Sequence, residues 1–268
     1  MTFLSRFGVI ALFVLSSSVH AVEHLKISTT TSTENTGLMA FLHPVFEQKY
    51  GVKIDVIAVG TGKALKIGSK GDVDVVFVHA PAAELAYVAS GDFIDRRPVM
   101  HNDFVLIGPE SDPAGIGSAF SVEAALKKVM ESEAKFISRG DDSGTHKKEL
   151  ALWHQAGVVP AGRWYIQAGQ GMGAVIKMAD EMGAYTLTDR GTQIAFEDKV
   201  VLKILYQGDP PMFNPYHIMA VNPEKHAHVN YDLAMKYIAF VTGEEGQVLI
   251  RDFKIKSQSL FYPDAIQE

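Results

Sequence analysis

The 268-residue sequence contains no cysteine. It therefore forms no disulfide, offers no thiolate to a metal, and has no side chain for a cysteine-linked lipid anchor. Basic charge is also scarce. Lys and Arg number 25 against 31 Asp and Glu, a net charge of −6, and no basic stripe runs through the chain. A broad nucleic-acid surface needs clustered Lys and Arg, so this balance argues against nucleic acid as a partner while leaving room for one small, focused anion site. No apolar run after Ala21 approaches the ~20 residues that span a bilayer. Repeats, low-complexity tracts and Pro/Gly-rich linkers are missing too.

What is present is the composition of a packed protein. Hydrophobic residues make up 47% and charged residues 21%, enough apolar content for a sizeable core and too much for disorder. The N-terminus has one basic residue, Arg6, then an apolar run over 7–15, then small residues at Val19 and Ala21. These flanks predict a secretory signal peptide over 1–21, cut after Ala21. Removing Arg6 leaves 24 basic against 31 acidic side chains, a net −7. The mature chain is expected to be soluble in an exported compartment, most simply a bacterial periplasm.

From residue 25 onward short apolar runs alternate with amphipathic stretches. Strands are expected over 25–28, 52–59 and 73–78, and helices over 36–50, 61–67 and 82–89. A second set follows, with strands over 104–107, 135–138, 164–168, 184–188 and 200–205, and helices over 121–132, 143–155 and 173–182. After Asn214-Pro215 come a strand over 217–221 and helices over 232–241 and 245–253. This alternation predicts an α/β protein with a mainly parallel sheet. Apolar crossings around 99–108 and 212–222 join the two sets. They suggest lobe one over 22–102 and 214–268, and lobe two over 103–213, with the crossings as a hinge.

Three places put hydroxyls and bare amides between a strand and a helix: Ser28-Thr29-Thr30-Thr31-Ser32-Thr33, Val59-Gly60-Thr61-Gly62-Lys63, and Ser138-Arg139-Gly140-Asp141-Asp142-Ser143-Gly144-Thr145. A helix N-terminus has unpaired N–H groups and a partial positive charge, so it suits an anion. Each loop alone reads equally as an ordinary cap or turn. Together they favour an anion site, because six consecutive hydroxyl residues exceed what one cap requires and Arg139 adds a fork of donors. Asp141 and Asp142 sit awkwardly beside an anion. They orient Arg139, cap the helix, or hold Arg139 in a purely structural ion pair.

Other motifs fail. Gly62-Lys63 is followed by Ala64 where a P-loop needs Ser or Thr, and Ile57 stands at its first Gly. No G-x-S-x-G elbow surrounds Ser143, so a hydrolase triad has no support. His226-Ala227-His228 has no third ligand and reads as solvated surface. Met172, Met178 and Met182 read as core. The cleft loops offer no acid–base or nucleophile pair, so no enzyme is expected, although an enzyme with an anionic substrate or a ligand sensor on the same fold are the readings of a different class.

The string 138–146, SRGDDSGTH, resembles the R-x-x-x-S-G-T loop of phosphate-binding members of the periplasmic oxyanion-binding proteins that serve ABC importers. More closely, residues 25–263 resemble the tungstate-binding proteins of the TupA type. The matching features are Thr29-Thr30-Thr31-Ser32-Thr33, Gly60-Thr61-Gly62-Lys63-Ala64, Gly71-Asp72-Val73-Asp74 with His79-Ala80-Pro81, and Asn102-Asp103-Phe104. Gly171-Met172-Gly173, Ala184-Tyr185-Thr186-Leu187-Thr188-Asp189 and Asn214-Pro215-Tyr216 complete them.

The resemblance implies a two-lobed type II periplasmic binding fold with the ligand in the cleft. It implies capture of tungstate and delivery to an inner-membrane permease, with no cofactor and with the protein a monomer. Thr30, Thr31, Ser32 and Thr61 would hold the anion on lobe one, while Arg139, Ser143, the Gly144 amide and Thr145 close over it. Phosphate carriers place an acid after the third strand to accept the ligand's proton. The corresponding stretch here, Phe77-Val78-His79-Ala80-Pro81, has none, which favours a fully deprotonated dianion. Molybdate, sulfate and phosphate are the alternative ligands. Tungstate and molybdate are nearly the same size and charge, so that preference rests on the resemblance alone.

Overall fold

The computed structural model describes residues 22–265. The expected signal peptide lies outside the described residues. In chain order the elements are β1 (Glu23–Thr30), α1 (Thr31–Asn35), α2 (Leu38–Tyr50), β2 (Val52–Val59), α3 (Thr61–Ser69), β3 (Val75–Val78), α4 (Pro81–Ala89) and β4 (Phe93–Gly108). Then come α5 (Val122–Glu131), β5 (Phe136–Ser138), α6 (Gly144–Gln155), β6 (Tyr165–Gln167), α7 (Met172–Met182), β7 (Thr186–Asp189), α8 (Arg190–Phe196) and β8 (Lys203–Tyr206). β9 (Phe213–Val221), α9 (Tyr231–Thr242), α10 (Glu244–Asp252) and the two-residue strands β10 (Lys254–Ile255), β11 (Gln258–Ser259) and β12 (Tyr262–Pro263) close the chain.

The main sheet runs β12-β4-β9-β3-β1-β2. β1 is parallel to both β2 and β3, and β9 is antiparallel to β3 and β4. β4 is 16 residues long and belongs to two neighbourhoods. Its first part pairs with β9, from Phe93 opposite Val221 to Asp103 opposite Phe213. From Phe104 onward it pairs with β7 and β8. β5 and β6 are parallel, and Phe136 bridges to Tyr185 beside β7.

Strand alternation assigns the core. Val75 and Phe77 face one apolar cluster with α2 and α9, while Val76 and Val78 face another with α3. Further along β4, Leu106 packs toward α5 and α6, and Val105 and Ile107 pack toward α7. Each face of the sheet is thus covered by helices, as buried strands require. The first two clusters draw their buried residues from 25–100 and 216–261, and the other two from 104–212. At the junction a buried Arg190 grips Asp103 through two hydrogen bonds, Nε to Oδ1 at 2.6 Å and Nη2 to Oδ2 at 2.5 Å, tying α8 to β4.

The sheet is mixed rather than mainly parallel, because β4 and β9 run antiparallel to the strands they pair with, and several expected elements change on inspection. The strand over 104–107 is only the second half of β4, and the strand over 217–221 begins four residues earlier at Phe213. β1 runs on to Thr30, and residues expected to be loop form the short helix α1. The helix expected from 36 starts at Leu38. α8 was not expected at all. Met172 is buried against Val175 and Ile176, as a core residue should be. His226 and His228 are not merely solvated: their Nε2 atoms bond the carbonyls of Ser69 and Gly71 at 3.0 and 2.8 Å, closing the end of α3. Among the described residues no group of His, Asp and Glu is arranged to hold a metal, and no helix is long and apolar enough to cross a membrane.

Candidate functional site

β1 sits between β2 and β3, so the chain leaves its carboxyl end first to one side and then to the other. Such a switch point opens a crevice where α/β proteins bind ligands. Thr30 stands opposite Val59, which brings the start of α3 at Thr61 alongside α1. Phe77 pairs with Thr29, so the chain leaving β3 reaches the same edge at His79.

Thr30 organises this edge. Its Oγ1 caps α1 by accepting from the Thr33 amide at 3.2 Å, and it lies 2.7 Å from Thr33 Oγ1 and 2.9 Å from Ser32 Oγ. A hydroxyl that accepts still has its own hydrogen to give, so the cap and an anion-donor role are compatible. Thr30 is buried, whereas Thr31 and Ser32 are exposed on α1 and Thr61 is half-buried at the start of α3.

His79 joins the cluster. Its Nε2 lies 3.3 Å from both Thr30 Oγ1 and Ser32 Oγ, and its ring stacks on buried Tyr216 at 4.5 Å. Its Nδ1 meets Asn214 Oδ1 at 3.1 Å, and Asn214 in turn donates to Asn102 Oδ1 at 2.8 Å. Asn102 and Asn214 are paired residues of β4 and β9. Burial pushes the His79 pKa below the usual histidine range, despite the opposing hydrogen bond to Asn214 and the charges of Glu84 and Asp189. Glu84, one turn into α4, is buried. It accepts from the Ala80 amide at 2.6 Å and pairs with Arg96 at 2.8 Å and His217 at 3.0 Å, so its charge is already compensated.

The second set of expected ligands lies on the loop between β5 and α6. Arg139 gives Nε, at 3.1 Å, and Nη2 to Asp141 Oδ2, and Asp141 Oδ1 accepts the Ser143 amide at 3.2 Å. Burial opposes charge on Asp141, yet hydrogen bonds from Ser143 and Arg139 outweigh it and hold the carboxyl below the usual range. The ion pair uses two of the five guanidinium hydrogens, and no hydrogen bond among the described residues takes Nη1. Ser143 Oγ caps α6 by accepting the His146 amide at 3.2 Å. Gly144 is the first residue of α6 and exposed, and Thr145 is buried beneath the loop. Buried Glu149, one turn on, accepts from Tyr165 at 2.7 Å, and burial raises its pKa.

Bare backbone is a further shared property. Gly60 and Gly171 occupy the cap positions of α3 and α7 with no side chain to satisfy the first amides. A Cβ built at Gly60, Gly62, Gly144 or Gly171 would meet nothing within 4 Å. None of the four has positive φ, so neither packing nor backbone conformation requires glycine there.

A profile of the PBP superfamily domain matches residues 16–245. The tungstate-binding protein TupA of Peptoclostridium acidaminophilum is 45% identical over 243 residues, 89% of this chain and 85% of that protein. A solved tungstate-binding TupA from Desulfovibrio alaskensis G20 is 45% identical with a TM-score of 0.87, covering 91% of this chain and 100% of that one. A solved tungstate ABC transporter protein from Geobacter sulfurreducens is 60% identical with a TM-score of 0.73, covering 86% of this chain and 99% of that one. The chain belongs to the TupA-type periplasmic binding proteins.

In this two-lobed TupA-type fold the expected residues fall into two groups. Thr30 and Ser32 are joined directly by hydrogen bonds, and Thr31 and Thr61 flank them. Arg139 and Ser143 are joined through Asp141, with Gly144 and Thr145 next in the chain. Among the described residues, no hydrogen bond or ion pair links one group to the other. Asp141, left open by the sequence, orients Arg139 and also accepts the Ser143 amide; Asp142 instead receives Lys147 at 3.3 Å. Sequence reasoning did not assign His79, Asn102 or Asn214 to the site. The signal available was a polar residue just after β3, in the middle of β4 and at the start of β9, each beside an apolar run.

Proposed function

We propose that this chain is an extracytoplasmic solute-binding protein that captures tungstate and hands it to an ABC permease in the inner membrane. The observation that carries the reading is the hydroxyl-rich end of β1 at the sheet's switch point, in a chain 45–60% identical to TupA-type relatives named for tungstate. Thr30, Thr31, Ser32 and Thr61 bind on lobe one, formed by 22–102 and 214–268. Arg139, Ser143, the Gly144 amide and Thr145 close from lobe two, formed by 103–213. Closure about β4 and β9 is a population shift toward the liganded shape, which the permease reads. The protein works as a periplasmic monomer after loss of 1–21, binds without a cofactor and performs no catalysis.

The donor chemistry supports a proton-free dianion. Burying such an ion unpaired costs tens of kcal/mol as a Born estimate, so several charge-assisted donors and helix ends must face it. Glu84, at the start of α4, is bound to Arg96 and so is not free to accept a phosphate proton.

Thermal unfolding of residues 22–268 with tungstate, molybdate, sulfate, phosphate and chromate in turn tests this. At 100 times its dissociation constant a ligand that binds only the folded state adds about 2.7 kcal/mol. A large rise with tungstate and little with sulfate or phosphate is expected. Flat curves for all five would overturn the reading.

A further inference from the structure

His79 is the polar side chain of the lobe-one cluster that a hydroxyl-donor site leaves without a task. Asn214 donates its amide nitrogen to Asn102, which turns its Oδ1 toward His79 Nδ1. A carbonyl oxygen only accepts, so Nδ1 carries a hydrogen in both charge states of the ring. In the neutral ring Nε2 is then an acceptor, and the hydrogen it shares with Thr30 or Ser32 comes from a hydroxyl. Each hydroxyl has one hydrogen, so one given to His79 is withheld from a bound oxyanion. Protonation of Nε2 reverses that bond. The ring then donates to the hydroxyl oxygen, the hydroxyl hydrogen turns to the ligand, and a positive charge stands beside a dianion.

We propose that His79 takes up a proton when the oxyanion binds, coupling affinity to pH. The inference rests on the tungstate-binding reading above. The groups around the ring fit it. Glu84 from α4 and Asp189 from β7 bear on His79 as negative charges, Tyr216 from β9 stacks on it, and Thr30 and Ser32 can accept from it. Glu84 is bound to Arg96, and Asp189 accepts the amide and hydroxyl of Thr192, so both carboxylates already have partners of their own and neither bonds His79. Burial favours the neutral ring at pH 7. A dianion at hydrogen-bond distance from the hydroxyls reverses that preference, so affinity rises as pH falls.

Titration calorimetry of residues 22–268 with micromolar tungstate, in two buffers of different ionisation enthalpy at pH 7, counts the protons. About half to one proton is expected to enter per tungstate, with affinity falling about three- to tenfold per pH unit between pH 6.5 and 7.5. His79→Gln keeps a side-chain N–H but cannot titrate; it is expected to bind with no proton uptake and a flat pH profile, its ligand-free melting point matching the wild type. Tight binding with no proton uptake, or with uptake that survives in His79→Gln, would overturn the proposal while leaving the tungstate reading intact. Absence of tungstate binding in the wild type would overturn both.

Discussion

Single residues can serve the fold, a proposed ligand, or both. Arg139 is one such residue. Its bond to Asp141 fixes the guanidinium, and among the described residues Nη1 makes no hydrogen bond; the proposed function gives Nη1 to the anion. Arg139→Ala is expected to weaken tungstate binding by about 2–5 kcal/mol, the range for removing one partner of a buried charged contact, partly because Asp141 then faces the dianion unpaired. Calorimetry giving an unchanged affinity would make the pair purely structural. Gly144 gives the complementary case. Alanine there meets open space at the first turn of α6 and loses less chain entropy on folding, so Gly144→Ala is expected to raise the ligand-free stability by up to about 1 kcal/mol. On the proposed function its methyl group would stand in the anion's path, so affinity is expected to fall. A denaturant melt and a titration of the same variant give the two signs; a fall in stability with affinity intact would place Gly144 among the structural glycines.

At the scale of elements, packing carries its own pH dependence. His43 of α2 is buried against α9, bonded to Tyr237 Oη at 2.9 Å, and burial lowers its pKa to about 4 despite the nearby Glu47. The folded state therefore prefers the neutral ring. Stability from this source is complete above the unfolded value near 6.5 and declines as pH falls from there through about 4, by about 3 kcal/mol in all. His43→Gln should lose that part of the decline, seen as a smaller fall in melting point between pH 7 and pH 4 than in the wild type. Equal falls would show that α2 and α9 tolerate the charged ring.

Element prediction from sequence succeeded where local signals agreed. α5 shows Ser121 as its cap, bonded to the Ala124 amide at 3.2 Å, and Val122, Ala125, Leu126 and Val129 on one buried face. β4 was legible only in part, because Arg96-Arg97-Pro98 breaks the apolar run and its continuity comes from β9, more than a hundred residues away. α1 was hidden because Thr, Ser and Asn favour caps over helix interiors. It forms because Thr30 caps it at the end of a buried strand.

At the scale of the molecule, the donor loops were readable and their assembly was not. Thr30 to Thr33 and the Arg139 loop each announce themselves by composition. The link from His79 through Asn214 to Asn102 spans 135 and then 112 positions, and only the sheet order brings those residues together. That link also ties the Thr30 and Ser32 hydroxyls to β4 and β9. Oxyanion capture is the central claim, and a direct titration of residues 22–268 with tungstate tests it most plainly. Binding of one tungstate per chain, with phosphate and sulfate giving no measurable heat, is the predicted result. No heat from tungstate, or equal heats from tungstate and phosphate, would contradict it.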